Sequence, residues 1–166
     1  MRDELEREYT EYFQVRMPQL RRLAATLCGD AHRGDDIVQA AATTLYMRWK
    51  QVCGAGNLDA YVRRTVVNAF LSEQRRPWSR VTLTEALPDR PGDTAPPEER
   101  LVVQQAVRRL PPRQQAVIVL RFVCDLPVAE VAELLSCAEG TVKSQTRDGL
   151  AALRRLLSPA AREGAR

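Results

Sequence analysis

The sequence predicts an all-α protein built as two small helical domains joined by a flexible linker. Three observations carry this prediction. Apolar residues recur at helix spacing through residues 5–76 and again through 98–157. No alternating strand pattern holds, and the one β-branched run, Val117-Ile118-Val119-Leu120, lies inside a helix-length window. Between the halves, residues 77–97 contain Pro77, Pro88, Pro91, Pro96 and Pro97 and little periodicity. Each proline removes an N–H donor and disfavours helix at the residue before it. The expected division is therefore a first domain over 1–76, a linker over 77–97, a second domain over 98–159 and a tail over 160–166.

Each element has its own signature. The first helix, over 5–28, carries Leu5, Tyr9, Phe13, Leu20, Ala24 and Leu27 as a stripe, with an interruption expected near Pro18. CGDAHRGDD then makes a turn, and a second helix is expected from Asp35 to Val52 with Ile37, Ala41, Leu45 and Trp49 on one face. Asp35 and Asp36 in its first turn suit the helix macrodipole. GAGN at 54–57 ends it, and a third helix from Leu58 to Arg76 buries Val62, Val66, Ala69 and Phe70. After the linker, a helix over 98–109 stops at Leu110-Pro111-Pro112. Pro112 opens the next helix, in which Ala116, Val117, Val119, Leu120 and Val123 are apolar. Pro127 opens a short helix to Leu135 with Val128, Val131, Ala132 and Leu135 facing inward. The last helix turns Val142, Gly149, Leu150, Leu153 and Leu157 inward and Lys143, Arg147 and Arg154 outward.

Composition narrows the function. Of 166 residues, 45% are hydrophobic, 5% aromatic and 28% charged, which is enough apolar material for small helical cores. No apolar run is long enough to span a membrane, and the N-terminus MRDELEREYTEYF is unlike a signal peptide, so a cytoplasmic protein without membrane contact is expected. The net charge of +4 is compatible with a polyanionic partner without requiring one. Lys50 and Lys143 are the only lysines. Arginine suits bidentate phosphate and guanine contacts, although coding bias in a GC-rich genome accounts for the preference equally well. Cys28, Cys53, Cys124 and Cys137 are scattered. Cys28 and His32 have the spacing of two zinc ligands, but no second pair follows. Reduced thiols, no metal and no cofactor are expected. One histidine and scattered cysteines offer no nucleophile–base set, so an enzyme is not expected.

The last two helices have helix-turn-helix proportions, a shape that a plain αα-hairpin shares. The outward residues crowd polar groups into the first two turns of the second helix, where a recognition helix meets base edges. A solvated basic face has the same composition.

LPPRQQAVIVLRFVCDLPVAEVAELLSCAEGTVKSQTRDGLAALRRLL closely resembles domain 4 of the extracytoplasmic-function sigma factors of bacterial RNA polymerase. GDDIVQAAATTLYMRW and LDAYVRRTVVNAFLSEQRR resemble domain 2 of the same family, and KSQT after GTV is most similar to its SigE-like actinobacterial branch. The resemblance implies a protein that binds core RNA polymerase, recognises −10 and −35 promoter elements and opens the duplex. Asp35, Asp36 and Gln39 would dock on the β′ clamp helices. Asn57, Arg64, Asn68, Arg75 and Arg76, with the loop from Cys53 to Leu58, would engage the −10 strand. Glu139, Thr141, Lys143, Ser144 and Arg147 would read the −35 element, and Arg113 would grip phosphate or help seat the domain on the β flap. The linker would thread toward the active-site cleft, where Glu85, Asp89 and Asp93 could mimic nucleic acid. An anti-sigma factor is a further partner the resemblance leaves open.

The sequence departs from the family at four places: Ala40 stands for an acidic residue, Ser72 for aspartate, Ser136 for glycine and Ala138 for serine or threonine. Losing an N-cap side chain costs about 0.5–2 kcal/mol, and a left-handed serine about 1–2 kcal/mol. Two other readings stay open at this point. One is a stand-alone helix-turn-helix regulator that binds an operator without polymerase. The other is a helical adaptor of the anti-sigma kind that binds protein alone.

Overall fold

A computed structural model describes residues 2–74 and 97–159, so Arg75, Arg76, the linker acids Glu85, Asp89 and Asp93, and the tail 160–166 lie outside the described residues. The helices are α1 Arg2–Cys28, α2 Ala31–Val52, α3 Leu58–Gln74, α4 Pro97–Arg108, α5 Pro112–Ile118, α6 Val128–Leu135 and α7 Glu139–Leu157. A π-helical segment, Val119–Val123, continues α5. No strand occurs among the described residues.

α1 to α3 form the first bundle, and two features of it differ from expectation. α1 runs unbroken through Pro18. Pro18 is exposed, on the side where water can take over for the donor that its ring removes. α2 begins at Ala31, a turn earlier than expected, because Asp30 supplies the cap: its Oδ1 accepts from the N–H groups of His32 at 2.9 Å and Arg33 at 3.3 Å. Asp35 and Asp36 consequently sit in the second turn, exposed, and cap nothing. Gly29, at φ +70°, makes the reversal from α1, a conformation glycine adopts without side-chain clash. Gly34 lets α2 lie directly on the α1 backbone, since a Cβ there would come within 2.7 Å of Ala25 N.

The packing of this bundle follows from its stripes. Leu27, Leu45, Val62, Val66 and Phe70 are fully buried. Tyr9, Phe13 and Trp49 meet as tilted and edge-on rings at centroid distances of 4.5–6.4 Å. Tyr9 donates its hydroxyl to the Ala42 carbonyl at 2.9 Å, joining α1 to α2. Asp59, in the first turn of α3, accepts from Tyr12 Oη at 2.6 Å and Arg16 Nη2 at 2.9 Å, joining α1 to α3. Burial and the Asp59 carboxylate both hold the Tyr12 hydroxyl in its protonated form by raising its pKa. Cys28 is buried, its thiol donating to Ala24 O at 3.0 Å, and burial raises its pKa to about 11.

In the second half, Ala116 through Leu120 are all buried, so this helix is apolar on every side rather than along one stripe. It packs on α7, α4 and α3 together. Gly149 is the point of closest approach of α7, where a Cβ would sit 3.0 Å from the Ile118 side chain. The two halves are docked: α3 lies against α5 and α6, and α1 against the π segment. One apolar cluster runs without a break from Phe13 and Leu27 through Val117 and Leu120 to Val142. The buried Gln115 donates Nε2 to the carbonyl of Leu27, one of the α1 C-terminal carbonyls that no later turn of helix can satisfy.

Gly34→Ala is expected to lower stability by about 1–3 kcal/mol, the usual cost of forcing packed elements apart. Gly54→Ala, whose Cβ meets nothing within 4 Å, serves as the near-neutral control in the same urea melts.

Candidate nucleic-acid interface

The helix-turn-helix is built by one turn and one packed seam. α6 ends in a Schellman motif: Cys137 N–H donates to Ala132 O at 3.0 Å and Ser136 N–H to Glu133 O at 3.3 Å. Ser136 takes the left-handed conformation at φ 53°. Val131 and Val142 are fully buried, and Ala132 and Leu135 nearly so, which seals α6 on α7. Ala138 is the N-cap of α7 and gives it no side-chain hydrogen bond.

The opposite side of α7 is open. Glu139, Thr141, Lys143, Ser144 and Arg147 are all exposed, as the sequence predicted, with Lys143 and Arg147 one turn apart. Ser144 donates its hydroxyl to Gly140 O at 3.0 Å, so it presents acceptor lone pairs outward. Thr146 is half-buried and donates to Val142 O at 2.7 Å, which places it beside the reading face rather than on it. Arg147 pairs with Asp148 at 3.3 Å, an exposed contact that holds the side chain only weakly. Arg113 is exposed at the start of α5.

The structure adds one cation that sequence periodicity missed. Arg121, in the π segment, lines a groove of about 370 Å³ together with Lys143, Arg147 and Arg154 on α7. Its Nη1 donates to Leu126 O at 2.6 Å, and its buried Nε has no hydrogen-bond partner. The π segment is the reason it was missed. Cys124 N–H reaches back to Val119 O at 2.9 Å, a five-residue step that shifts every later side chain off the 3.6-residue register. The one signal present was an arginine interrupting an apolar run, VIVLRFV.

On the first bundle, Arg64 and Asn68 share the exposed face of α3, opposite the fully buried Val62, Val66 and Phe70. Asn57, expected in a base pocket, is exposed and caps α3, its Oδ1 accepting from Ala60 N–H at 3.1 Å. Asp35, Asp36 and Gln39 are exposed on α2, in line with Thr43 and with Met47, which is 80% exposed. Asp35 lies 3.3 Å from Arg21 in an open ion pair. Of these patches, the structure brings together the α3 face and the helix-turn-helix: Arg64 Nη2 donates to Ser136 Oγ.

A sealed α6–α7 seam with exposed polar first turns on α7, flanked by a four-cation groove, defines a DNA-binding protein of the helix-turn-helix class. Residues 13–80 match the family model described as Sigma-70 region 2, and residues 100–153 the one described as Sigma-70, region 4. The RNA polymerase sigma-E factor of Streptomyces coelicolor is 33% identical over 149 residues, covering 89% of this chain and 84% of that protein. The ECF RNA polymerase sigma factor SigM of Mycobacterium tuberculosis H37Rv is 33% identical over 159 residues, covering 90% and 76%. Among solved structures, the sigma factor RpoE in complex with the anti-sigma factor NepR from Bartonella quintana shares the fold, with a TM-score of 0.70 at 20% identity over 90% of this chain and 96% of that one. The chain belongs to the extracytoplasmic-function sigma factors of the sigma-70 family.

Lys143→Ala and Arg147→Ala are each expected to cut run-off output at a −35-dependent promoter about tenfold, the scale of a lost base contact. Arg121→Ala should weaken holoenzyme binding across all promoter sequences alike and lower the salt slope by about one. Titrations at several salt concentrations check both expectations.

Proposed function

We propose that this protein directs core RNA polymerase to promoters by reading −10 and −35 elements with its two helical domains. One observation carries the reading. Each domain presents a separate exposed polar helix face, α3 in the first and α7 in the second, in the chain order of sigma regions 2 and 4.

In this reading residues 1–76 form domain 2. Asp35, Asp36 and Gln39 dock on the β′ clamp helices, with Met47 on the same exposed line available for apolar contact. Asn57, Arg64, Asn68, Arg75 and Arg76 hold the −10 non-template strand. Taking a base out of the stack costs a few kcal/mol; backbone cations and a polar loop offset it. Residues 77–97 link the domains.

Residues 98–159 form domain 4. Glu139, Thr141, Lys143, Ser144 and Arg147 face the −35 bases. Arg121 and Arg154 flank the groove on the phosphate side, and Arg113 meets phosphate or the β flap. No helix among the described residues is long and apolar enough to cross a membrane, and we place the protein in the cytoplasm, acting without a catalytic step of its own. The structurally similar RpoE was solved with an anti-sigma factor, and we carry that partner class over to this chain.

Run-off transcription on genomic fragments with purified core polymerase tests the proposal. Discrete transcripts are expected only when both proteins are present. Specific duplex binding by the protein alone, with no stable complex with core, would instead establish a stand-alone regulator.

A further inference from the structure

We propose that a groove between α1, α4 and the π segment binds a free amphiphilic carboxylate of the medium-chain fatty-acid class, its chain on an aliphatic floor and its head among arginines. The groove shares no lining residue with the cation groove beside α7. The proposal is therefore separate from promoter reading, and its test does not run through transcription.

The walls are apolar and come from three elements. Ile118 and Val119 are buried and form the floor, beside Leu23 of α1 and Val107 of α4. Val103 of α4 and Phe122 of the π segment, 46% and 52% exposed, stand at the rim. Phe122 is there because the π step at Val119 turns it out of the register that buries the residues before it. Large apolar side chains from separate elements, left in water around one concavity, mark a binding surface rather than ordinary solvent-facing helix.

Size points to a small molecule. The groove has a volume of about 540 Å³, inside the range of about 300–1,000 Å³ for small-ligand sites. At about 30 Å³ per water it has room for roughly eighteen groups of that size, enough for a chain of about ten carbons with its carboxylate.

Charge selects the head. Arg22 on α1 and Arg100 and Arg108 on α4 line the same groove, against a single carboxylate, Glu99. No ion pair engages Arg22 or Arg108 among the described residues. The stem of Arg108 is wedged over Gly29 so closely that no Cβ fits between them. Its Nη2 is buried with no hydrogen-bond acceptor, and a buried donor left unpaired is costly. An anionic head drawn to this guanidinium supplies an acceptor, in the paired geometry that arginine offers a carboxylate.

The same inventory disfavours other small ligands. A nucleobase or sugar needs several polar partners, and burying its polar groups unpaired on an aliphatic floor costs more than the apolar contact returns. Thr26, the one hydroxyl in the lining, already donates to Arg22 O at 2.7 Å. A cationic amphiphile is repelled by the arginines.

The full chain is titrated by calorimetry with decanoate, decanol and decyltrimethylammonium, each kept monomeric. Decanoate is expected to bind once per chain, decanol about tenfold more weakly for want of the charge-assisted pair, and the cation not at all. Octanoate should bind about fifteenfold more weakly than decanoate, since each buried methylene is worth about fourfold. Phe122→Ser, at an exposed position, should keep the melting temperature and lose decanoate binding. Arg108→Gln should erase the preference for decanoate over decanol while leaving decanol affinity unchanged. Arg22→Gln, at a fully solvated position, carries the same test should Arg108→Gln fail to fold. A folded wild type that binds no decanoate, or that binds decanoate and the cation alike, would overturn the proposal. Binding to phosphatidylglycerol vesicles without binding of monomeric decanoate would assign the groove to a membrane surface instead. A wild-type dimer that Phe122→Ser makes monomeric would assign it to a second copy, and either result ends the fatty-acid reading.

Discussion

The short run from Gln115 to Leu120 is the wall that everything else leans on. Each residue in it is buried, and its sides face α7, α4 and the first bundle at once. Burying one aliphatic side chain of this size stabilises by about 1.5–3 kcal/mol. Four in succession are comparable with the net stability of a small domain, about 5–15 kcal/mol. Two consequences follow from this stretch having no solvent side. The recognition helix is seated on it through Ile118 and Gly149, and the first bundle is seated on it through Val117, Leu120 and the Gln115 amide. The DNA-reading surface and the docking of the two halves therefore share a single support.

That shared support explains how polar chemistry is distributed. Residues that seal α6 on α7 are small or β-branched, Ala132, Val131 and Val142, which brings the two axes close and pushes the charged residues of α7 outward. The π segment ends the wall. By breaking the helical register it delivers Arg121 to the groove beside Lys143 and Arg147, and it leaves Phe122 half exposed. The same irregularity that ends the core thus contributes a cation to the working surface.

Much of this was readable from residue order. Helix-period patterning located the seven α-helices of the described residues, and the outward positions of α7 and α3 were assigned correctly wherever the structure describes them. The errors have physical causes. Asp35 and Asp36 look like a helix start, but Asp30 has the free backbone geometry for the cap and takes it. Pro18 looks like a break, but it falls on the wet side of α1. Arg121 is invisible to any constant-period reading because the period itself changes there. Docking of the two halves was also signalled, since VIVL is apolar around the whole helix. That signal needs a second surface to bury it, and periodicity taken one half at a time has none to offer.

Ala138 leaves the front of the recognition helix without a side-chain cap. The amide donors at that end are thus unclaimed by the protein's own side chains, and a helix N-terminus attracts anions. A helix begun without that cap forgoes about 0.5–2 kcal/mol at its first turn, so the order of this end of α7 leans on the buried α6–α7 seam behind it.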